Sequence, residues 1–460
     1  MKFAPSSLAA LLFTSAWVCT LLPGCASTSR EPRNAPPPYV PTVDDLQSSF
    51  QAELPATTNA GEVVLDDRDG LSPNEAGLMA LELNPTLRAA RAARGLGEAE
   101  LLAAGILPNP VLGLSLATPT TGSDADVLGY GLGVSWNIQP LFSRAERRRA
   151  AGERLGSIEL DIAWREWQTW GAARLAVLRA IGLERRIQLA RTIEARWRDT
   201  LERRRAALAK GATTALAVGE SERSLAEATI ARLELESKLA SERTRLARAI
   251  GLDALAEPRL DMDWRAPLDS ASLEDRLAEL PTRRLDLVAL ELAMRAHNSA
   301  LAAATIDRFP ALEIGLETGR GVDGVGSAGL SVRVGLPLFD RNQAAIAAER
   351  AGRVSLAAEY AARLASTRSD VVRLAKELEL NDAKLEAART ASAAAAQLAT
   401  QAKDAAARGA LDPLLATDLE QRADRAALFD LAVEGTRDEL RAALMLAAGR
   451  TDSPSTRDTP

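Results

Sequence analysis

The stretch that decides the fold is GYGLGVSWNI, residues 129–138. Large apolar side chains alternate there with glycine, serine and asparagine, so every second position is apolar. An alternation with a period of two predicts a β-strand with one apolar face. The opposite face carries almost no side chain. The sequence therefore raises the question of what contacts the apolar face and what lies against the bare one.

Three other segments repeat this alternation, and strands are predicted at 110–118, 128–138, 310–318 and 328–337. A tilted strand needs about 9–11 residues to cross a bilayer, and each segment has that length. The alternate positions hold Gly, Ser, Glu and Arg, as in the wall of a water-filled lumen. By alternation alone, Glu313, Glu317 and Arg333 are predicted to face such a lumen. The alternative is a soluble sheet packed on helices, with its polar face in bulk water.

Four strands are too few to close a barrel, since known membrane barrels begin at about eight strands. An open sheet edge in lipid would leave backbone N–H and C=O groups without partners. If these strands cross a membrane, several copies of the chain must therefore combine them.

Composition narrows the classes of function. The chain has 460 residues and a formal net charge of −6, which gives no electrostatic support to nucleic-acid binding. Ala and Leu are abundant while aromatic residues make up only 4 %, so the chain favours helices with thin cores.

The N-terminus predicts export. Residues 1–24 read as a signal peptide, because the apolar run 8–22 would span only about 22 Å as a helix. The run ends in Leu-Pro-Gly-Cys at 22–25, which resembles a lipobox, so Cys25 is predicted to carry lipid. Ordinary cleavage nearby is the alternative. Lipidation of Cys25 would hold the mature protein to a membrane without spanning it, and we expect the outer membrane.

The chain between residues 71 and 449 repeats itself. Gly211 pairs with Gly409 and Leu216 with Leu414, each pair 198 positions apart. We predict a lipid-anchored extended leader at 25–70, a first unit at 71–252, a linker at 253–282, a second unit at 283–449 and a disordered tail at 450–460. Each unit is predicted to run helix, strand, strand, long helix, helix. The fold class is thus mainly α with a small β part.

The long helices are predicted at 143–208 and 341–406. A helix of about 60 residues is about 90 Å long, which exceeds a compact domain and favours a coiled-coil-like pairing. An imperfect heptad seam in the following helix supports this pairing. Its members are Leu225, Leu239, Leu246 and Ile250.

These features together resemble the TolC-type outer-membrane efflux proteins. The resemblance covers about 70–450 and rests on residues 81–116, the strand pairs, PLFDRN after the fourth strand and the duplicated layout. AGILPNP (104–110) and LPLFDRNQ (336–343) are most similar to the heavy-metal (CusC/CzcC-type) branch, whose members serve resistance–nodulation–division pumps. The resemblance implies a homotrimer with a twelve-stranded outer-membrane β-barrel, continued by a periplasmic α-helical barrel. It also implies a periplasmic adaptor and an inner-membrane resistance–nodulation–division transporter as partners.

The resemblance also assigns roles to residues. The turns at Gly211–Leu216 and Gly409–Leu414 would form the periplasmic tip, with Leu216 and Leu414 as adaptor contacts. Asp418, with Asp412 nearby, would line a ring of pore carboxylates. The alternatives are that Gly and Leu only cap and pack the hairpins, and that Asp418 is a solvated helix-face acid.

The sequence offers no catalytic constellation, so we expect no enzyme and no cofactor. His297 is the sole histidine, and a mature chain cleaved at Cys25 would have no free thiol, so no metal site is expected. The predicted function is passive conduction of metal ions or small molecules from periplasm to exterior. Two alternatives remain open: a channel for type I protein secretion, and a periplasmic coiled-coil scaffold lipoprotein without a pore.

Overall fold

A computed structural model describes residues 70–120, 127–253, 257–264 and 272–449. The predicted signal peptide, the lipobox with Cys25, nearly all of the leader and the tail lie outside these residues. Their assignments therefore stay predictions.

The described residues form eight helices and four strands in one recurring order. The first run is α1 (Pro73–Leu83), α2 (Pro85–Gly105), β1 (Val111–Ala117), β2 (Gly129–Asn137), α3 (Gln139–Ala209) and α4 (Ala215–Ile250). The second run is α5 (Leu273–Arg283), α6 (Leu285–Ile306), β3 (Leu312–Arg320), β4 (Gly326–Val334), α7 (Gln343–Ala407) and α8 (Pro413–Ala448). Each run thus has two short helices, a strand pair, one very long helix and a shorter one returning along it.

Local sequence signals determine where these helices begin and end. Ser72 and Glu75 form a reciprocal capping box at the start of α1, and Asn84 accepts from two backbone N–H groups at the start of α2. At the other end, Gly251 and Gly449 take the left-handed conformation after α4 and α8, which glycine adopts at little cost.

The strands form one antiparallel sheet in the order β1-β2-β3-β4. Leu114 lies opposite Leu132 in the first pair, Val134 opposite Leu316 in the second, and Leu316 opposite Leu330 in the third. This register places the apolar positions of all four strands on the same face.

The helices pack as two antiparallel hairpins, α3 with α4 and α7 with α8. The α3 helix has 71 residues and α7 has 65, which correspond to about 107 Å and 98 Å. The largest buried cluster joins α1, α3 and α4 and includes the predicted seam residues Leu239, Leu246 and Ile250. A second cluster joins α5, α7 and α8 around Leu280 and Val371. Many core positions are alanine, which allows the helix axes to approach closely.

Several element boundaries differ from the sequence-based expectation, including the start of α3, which lies at Gln139 rather than at residue 143. The predicted linker contains α5, which Ser272 caps and which buries Leu280 against α7 and α8. The strands β3 and β4 lie about two residues nearer their shared turn than predicted. The turn is tight, with Gly324 at φ +83° and a hydrogen bond from Gly321 N to Val325 O, so pairing extends further towards it.

Among the described helices, none combines the length and apolar character needed to span a membrane.

Candidate functional site: the sheet and the hairpin tips

One face of the sheet is apolar and uncovered in the single chain. Leu114 is 72 % exposed, Leu316 67 % and Leu330 73 %, although all three lie near the middle of their strands. Apolar side chains from all four strands surround them. A contiguous exposed apolar face of this kind marks a surface that contacts lipid or protein rather than bulk water.

The opposite face carries glycine, serine and three charged side chains. Arg333 Nη1 lies 3.2 Å from Glu313 Oε1, and Arg333 Nη2 lies 3.5 Å from Glu317 Oε1. Ser331 Oγ also donates to Glu317 Oε1 at 3.3 Å. The predicted group Glu313, Glu317 and Arg333 therefore lies together on one face, and that face is the polar one.

Both outer strands leave an edge without a hydrogen-bonded neighbour. β1 and β4 occupy the two ends of the strand order. Unpaired edges can accept further strands, and they are not tolerated in lipid. The sheet is therefore incomplete as a membrane-spanning unit in one chain.

Polar contacts fix the sheet to the helices. Trp136 Nε1 donates to Pro108 O at 2.8 Å, and Arg144 donates twice to Gly105 O, which closes the C-terminal end of α2. Asp307 accepts from Ser143 Oγ and Arg147 Nη2, each at 2.7 Å. These bonds hold the ends of α2 and α6, which lead into β1 and β3, against the start of α3 and against β2.

The two long helices end in turns of the same geometry. Gly211 (φ +69°) follows α3 and Gly409 (φ +72°) follows α7, each in the left-handed conformation. Ala212 N donates to Ala207 O and Ala410 N donates to Ala405 O, each at 2.9 Å, which is the pairing of a Schellman motif. Both glycines are exposed. The tight turns predicted at these glycines thus use the left-handed backbone conformation that glycine adopts at little cost.

The apolar residues after the turns differ in exposure. Leu216 is 63 % exposed, whereas Leu414 is half-buried and its neighbour Leu415 is 47 % exposed. Thr214 and Asp412 cap the returning helices at equivalent positions, through hydrogen bonds from Ala217 N and Leu414 N. Asp412 therefore caps α8, and its role as a pore carboxylate stays a prediction.

Asp418 lies one turn into α8 and is half-exposed. Its carboxylate pairs with Arg422 at 2.8 Å on the same helix. A surface pair of this type contributes about 0.3–0.5 kcal/mol and leaves the carboxylate accessible to solvent. The predicted role of Asp418 as a pore carboxylate stays a prediction.

Sequence reasoning missed a set of contacts that joins the two hairpins near their tips. Arg204 of α3 donates to Ala217 O at 3.1 Å and Ser221 Oγ at 2.8 Å in α4, and to Thr417 Oγ1 at 2.5 Å in α8. We name this set the inter-hairpin clasp. Its other members are the pairs Gln421–Ser224, Asp424–Trp197, Asp424–Arg196 and Arg425–Glu227.

One signal could have revealed part of the clasp. Glu227 and Arg425 are 198 positions apart, which equals the offset of the sequence repeat. Opposite charges at repeat-equivalent positions are expected to meet where two equivalent helices lie side by side. The remaining clasp pairs follow no such offset rule and depend on helix packing.

Burial and ion pairing shift the pKa of several groups in the helical hairpins, among them Arg204 and Glu194. Burial lowers the pKa of Arg204, and Glu420 and Glu220 oppose the change. Burial of Glu194 would raise its pKa, but hydrogen bonds and charge from Arg232 outweigh burial and lower it below the ordinary value. Glu194 Oε2 lies 2.5 Å from Arg232 Nε, linking α3 to α4. Arg204 and Glu194 both serve contacts between helices.

His297 of α6 contacts α7. Its Nδ1 lies 2.6 Å from Glu349 Oε2, and a Cβ at Gly352 would lie 2.5 Å from the imidazole Cε1. Gly352 thus makes room for the ring. Within the described part of the chain, no group of three or more His, Cys, Asp or Glu side chains is arranged to hold a metal ion.

Residues 78–252 match the family model described as outer membrane efflux protein. Several solved structures share the fold. CusC is 16 % identical with a TM-score of 0.68, and the match covers 83 % of this chain and 92 % of CusC. A membrane protein from Pseudomonas aeruginosa is 19 % identical with a TM-score of 0.70, covering 86 % and 98 %. The open-state MtrE outer membrane channel of Neisseria gonorrhoeae is 17 % identical with a TM-score of 0.64, covering 83 % and 90 %. No curated protein sequence matches the chain.

Proposed function

We propose that this member of the outer membrane efflux protein family is the outer-membrane channel of a tripartite efflux system. It conducts metal ions or small molecules passively from the periplasm to the exterior. The observation that carries the proposal is the two-sided sheet, with one exposed apolar face and one face of glycine, serine and charged side chains. This division suits a wall with lipid on one side and water on the other.

Pairing of edges between copies would complete the wall. β1 and β4 run in opposite directions in the four-stranded meander, so β4 of one copy can pair antiparallel with β1 of the next. Three copies would then supply twelve strands to one closed barrel, and no edge would remain in lipid. We therefore propose a homotrimer.

The helical hairpins would continue this channel into the periplasm. In this arrangement, the Gly211 and Gly409 turns form the far end, where Leu216 and Leu414 contact a periplasmic adaptor protein. The inner-membrane partner is a resistance–nodulation–division transporter. Lipid on Cys25 would add an anchor in the outer membrane. The channel itself performs no covalent chemistry, so we assign no catalytic residue.

Single-channel recording in a planar bilayer tests the proposal. We expect detergent-purified full-length protein to give steady pores, and the same protein heated above its unfolding temperature to give none. If the clasp closes the resting tip, Arg204→Ala with Gln421→Ala will raise the open probability.

Two outcomes would overturn the proposal. A protein that conducts nothing, even with the clasp removed, and stays soluble without detergent once its lipid is removed would be a scaffold lipoprotein. A pore that restores export of a polypeptide by an ATP-driven secretion transporter, but no small-molecule or metal resistance, would be a type I secretion channel.

A further inference from the structure

The polar face of the sheet carries very little charge. Among the described strand residues on that face, the charged side chains are Glu313, Glu317 and Arg333, and the rest are small or uncharged. The remaining charged strand residue, Arg320, lies in register with Tyr130 and so belongs to the apolar face. The charge on the polar face is therefore −1 per chain, from two carboxylates and one guanidinium.

Arg333 is shared between the two carboxylates. It lies directly opposite Glu313 in the β3–β4 register and contacts Glu313 and Glu317 at 3.2 Å and 3.5 Å. Each distance allows one weak contact rather than a bidentate pair. One guanidinium thus balances part of the charge of two acids, and neither acid is neutralised in full.

The surroundings leave this group open to solvent. Gly133 of β2 lies opposite Glu317, whereas Asn137 lies opposite Glu313, and a Cβ at Gly133 would lie 3.0 Å from Glu317 Cγ. The aliphatic part of Glu317 therefore lies over Gly133, while its carboxylate contacts Ser331 and Arg333 of β4 and stays more than half exposed. A trough of about 730 Å³ runs along this face and is bordered by Gly131, Gly133, Glu317 and Arg333.

We propose that Arg333 sets the ion preference of the lumen by partly offsetting the negative charge of Glu313 and Glu317. This inference rests on the proposed channel function, because the polar face must line a shared pore. Three copies would place a ring of six carboxylates and three guanidinium groups around one axis. The net negative ring favours hydrated cations over anions, and Arg333 limits that preference.

Reversal potentials across a salt gradient test the proposal. Arg333→Gln removes one positive charge from each of the three copies. A unit charge attracts or repels a passing ion by about the thermal energy at a distance of about 7 Å in water. We therefore expect the cation-to-anion permeability ratio to rise roughly three- to tenfold at low salt. Glu317→Gln leaves one acid and one guanidinium, so the ratio should fall towards unity. High salt should reduce both differences.

Arg320→Gln is the matched control. It makes the same change of charge on the same sheet, but on the apolar face, where Arg320 Nε donates to Gly324 O at 2.9 Å. We expect its permeability ratio to equal that of the unaltered protein.

The outcomes separate this inference from the channel proposal. Absence of pores both in the unaltered protein and in the clasp variant Arg204→Ala with Gln421→Ala refutes both. Pores whose ion preference is the same in Arg333→Gln, or changes equally in Arg320→Gln, refute the role of Arg333 and leave the channel intact. If Arg333→Gln does not assemble, Glu317→Gln provides the test. A cation-to-anion permeability ratio in Glu317→Gln equal to that of the unaltered protein overturns the inference.

Discussion

A pair of variants, Leu330→Arg and Ser331→Arg, tests which face of the sheet contacts lipid. The two residues are adjacent, and Leu330 is the fifth of nine residues in β4. Leu330 lies on the apolar face opposite Leu316 and is 73 % exposed, so little of its side chain is covered within the chain. Ser331 points to the polar face beside Glu317.

The magnitude follows from depth in the membrane. An arginine on the lipid face costs about 2–4 kcal/mol at the bilayer midplane, so three copies would lose about 6–12 kcal/mol per assembled barrel. The same side chain at position 331 would enter water and lie next to a carboxylate. We therefore expect Leu330→Arg to prevent assembly and Ser331→Arg to permit it.

Membrane fractionation and the heat-modifiable mobility of the assembled protein on gels measure the outcome. We expect Leu330→Arg to be depleted from the outer-membrane fraction and to run as a monomer, while Ser331→Arg resembles the unaltered protein. If both variants assemble, the apolar face is not in lipid. If Ser331→Arg alone fails, the two faces have been assigned the wrong way round.

The other predictions concern the helical part. Asn84→Ala should destabilise the protein by about 2–3 kcal/mol, because it removes the α2 cap and leaves Ala249 O without the donor now 2.8 Å away. Asn84→Ser should recover about half, because its hydroxyl can still cap α2 but is too short to replace the amide donor, as measured by denaturant unfolding in detergent. Equal losses in both variants would contradict this. Glu194→Gln should lower the melting temperature at pH 7, and the difference from the unaltered protein should shrink as the pH is lowered below 4.5. The pKa of Glu194 is lowered on folding, so its contribution is present above the ordinary value of 4.5 and is lost as pH falls through the folded value. A difference that is independent of pH would refute the assignment. Arg204→Ala should increase hydrogen exchange at the hairpin tips, whereas Arg205→Ala, whose partner Glu222 lies 2.7 Å away within one hairpin, should not. Equal exchange in the two variants would exclude the clasp.

Several features of the fold could be predicted from the sequence because they depend on near neighbours. The alternation at 129–138 predicts a strand with one apolar face, and the register of the sheet places Tyr130, Leu132 and Val134 on the face shared with the other strands. Gly211 and Gly409 predict turns, and both take the left-handed backbone that glycine permits. Side-chain size at every second residue and backbone freedom at single positions are properties that the chain carries locally.

Other features required coordinates. The helix α5 begins at Leu273 inside the predicted linker, and only the structure shows that it buries Leu280 against α7 and α8. The approach of α3 to α8 at Gly182 and Gly435 likewise has no local signal.

The sequence by itself determined that four strands, two very long helices and two glycine turns are present, and which strand positions are apolar. Only the tertiary structure decided that Arg204 joins three helices, that His297 meets Glu349, and that Arg333 lies between two carboxylates. The physical reason is the distance along the chain over which each kind of interaction acts. Periodicity, capping and turn chemistry act over a few residues, whereas these partners depend on how whole helices and strands pack, register and rotate against one another.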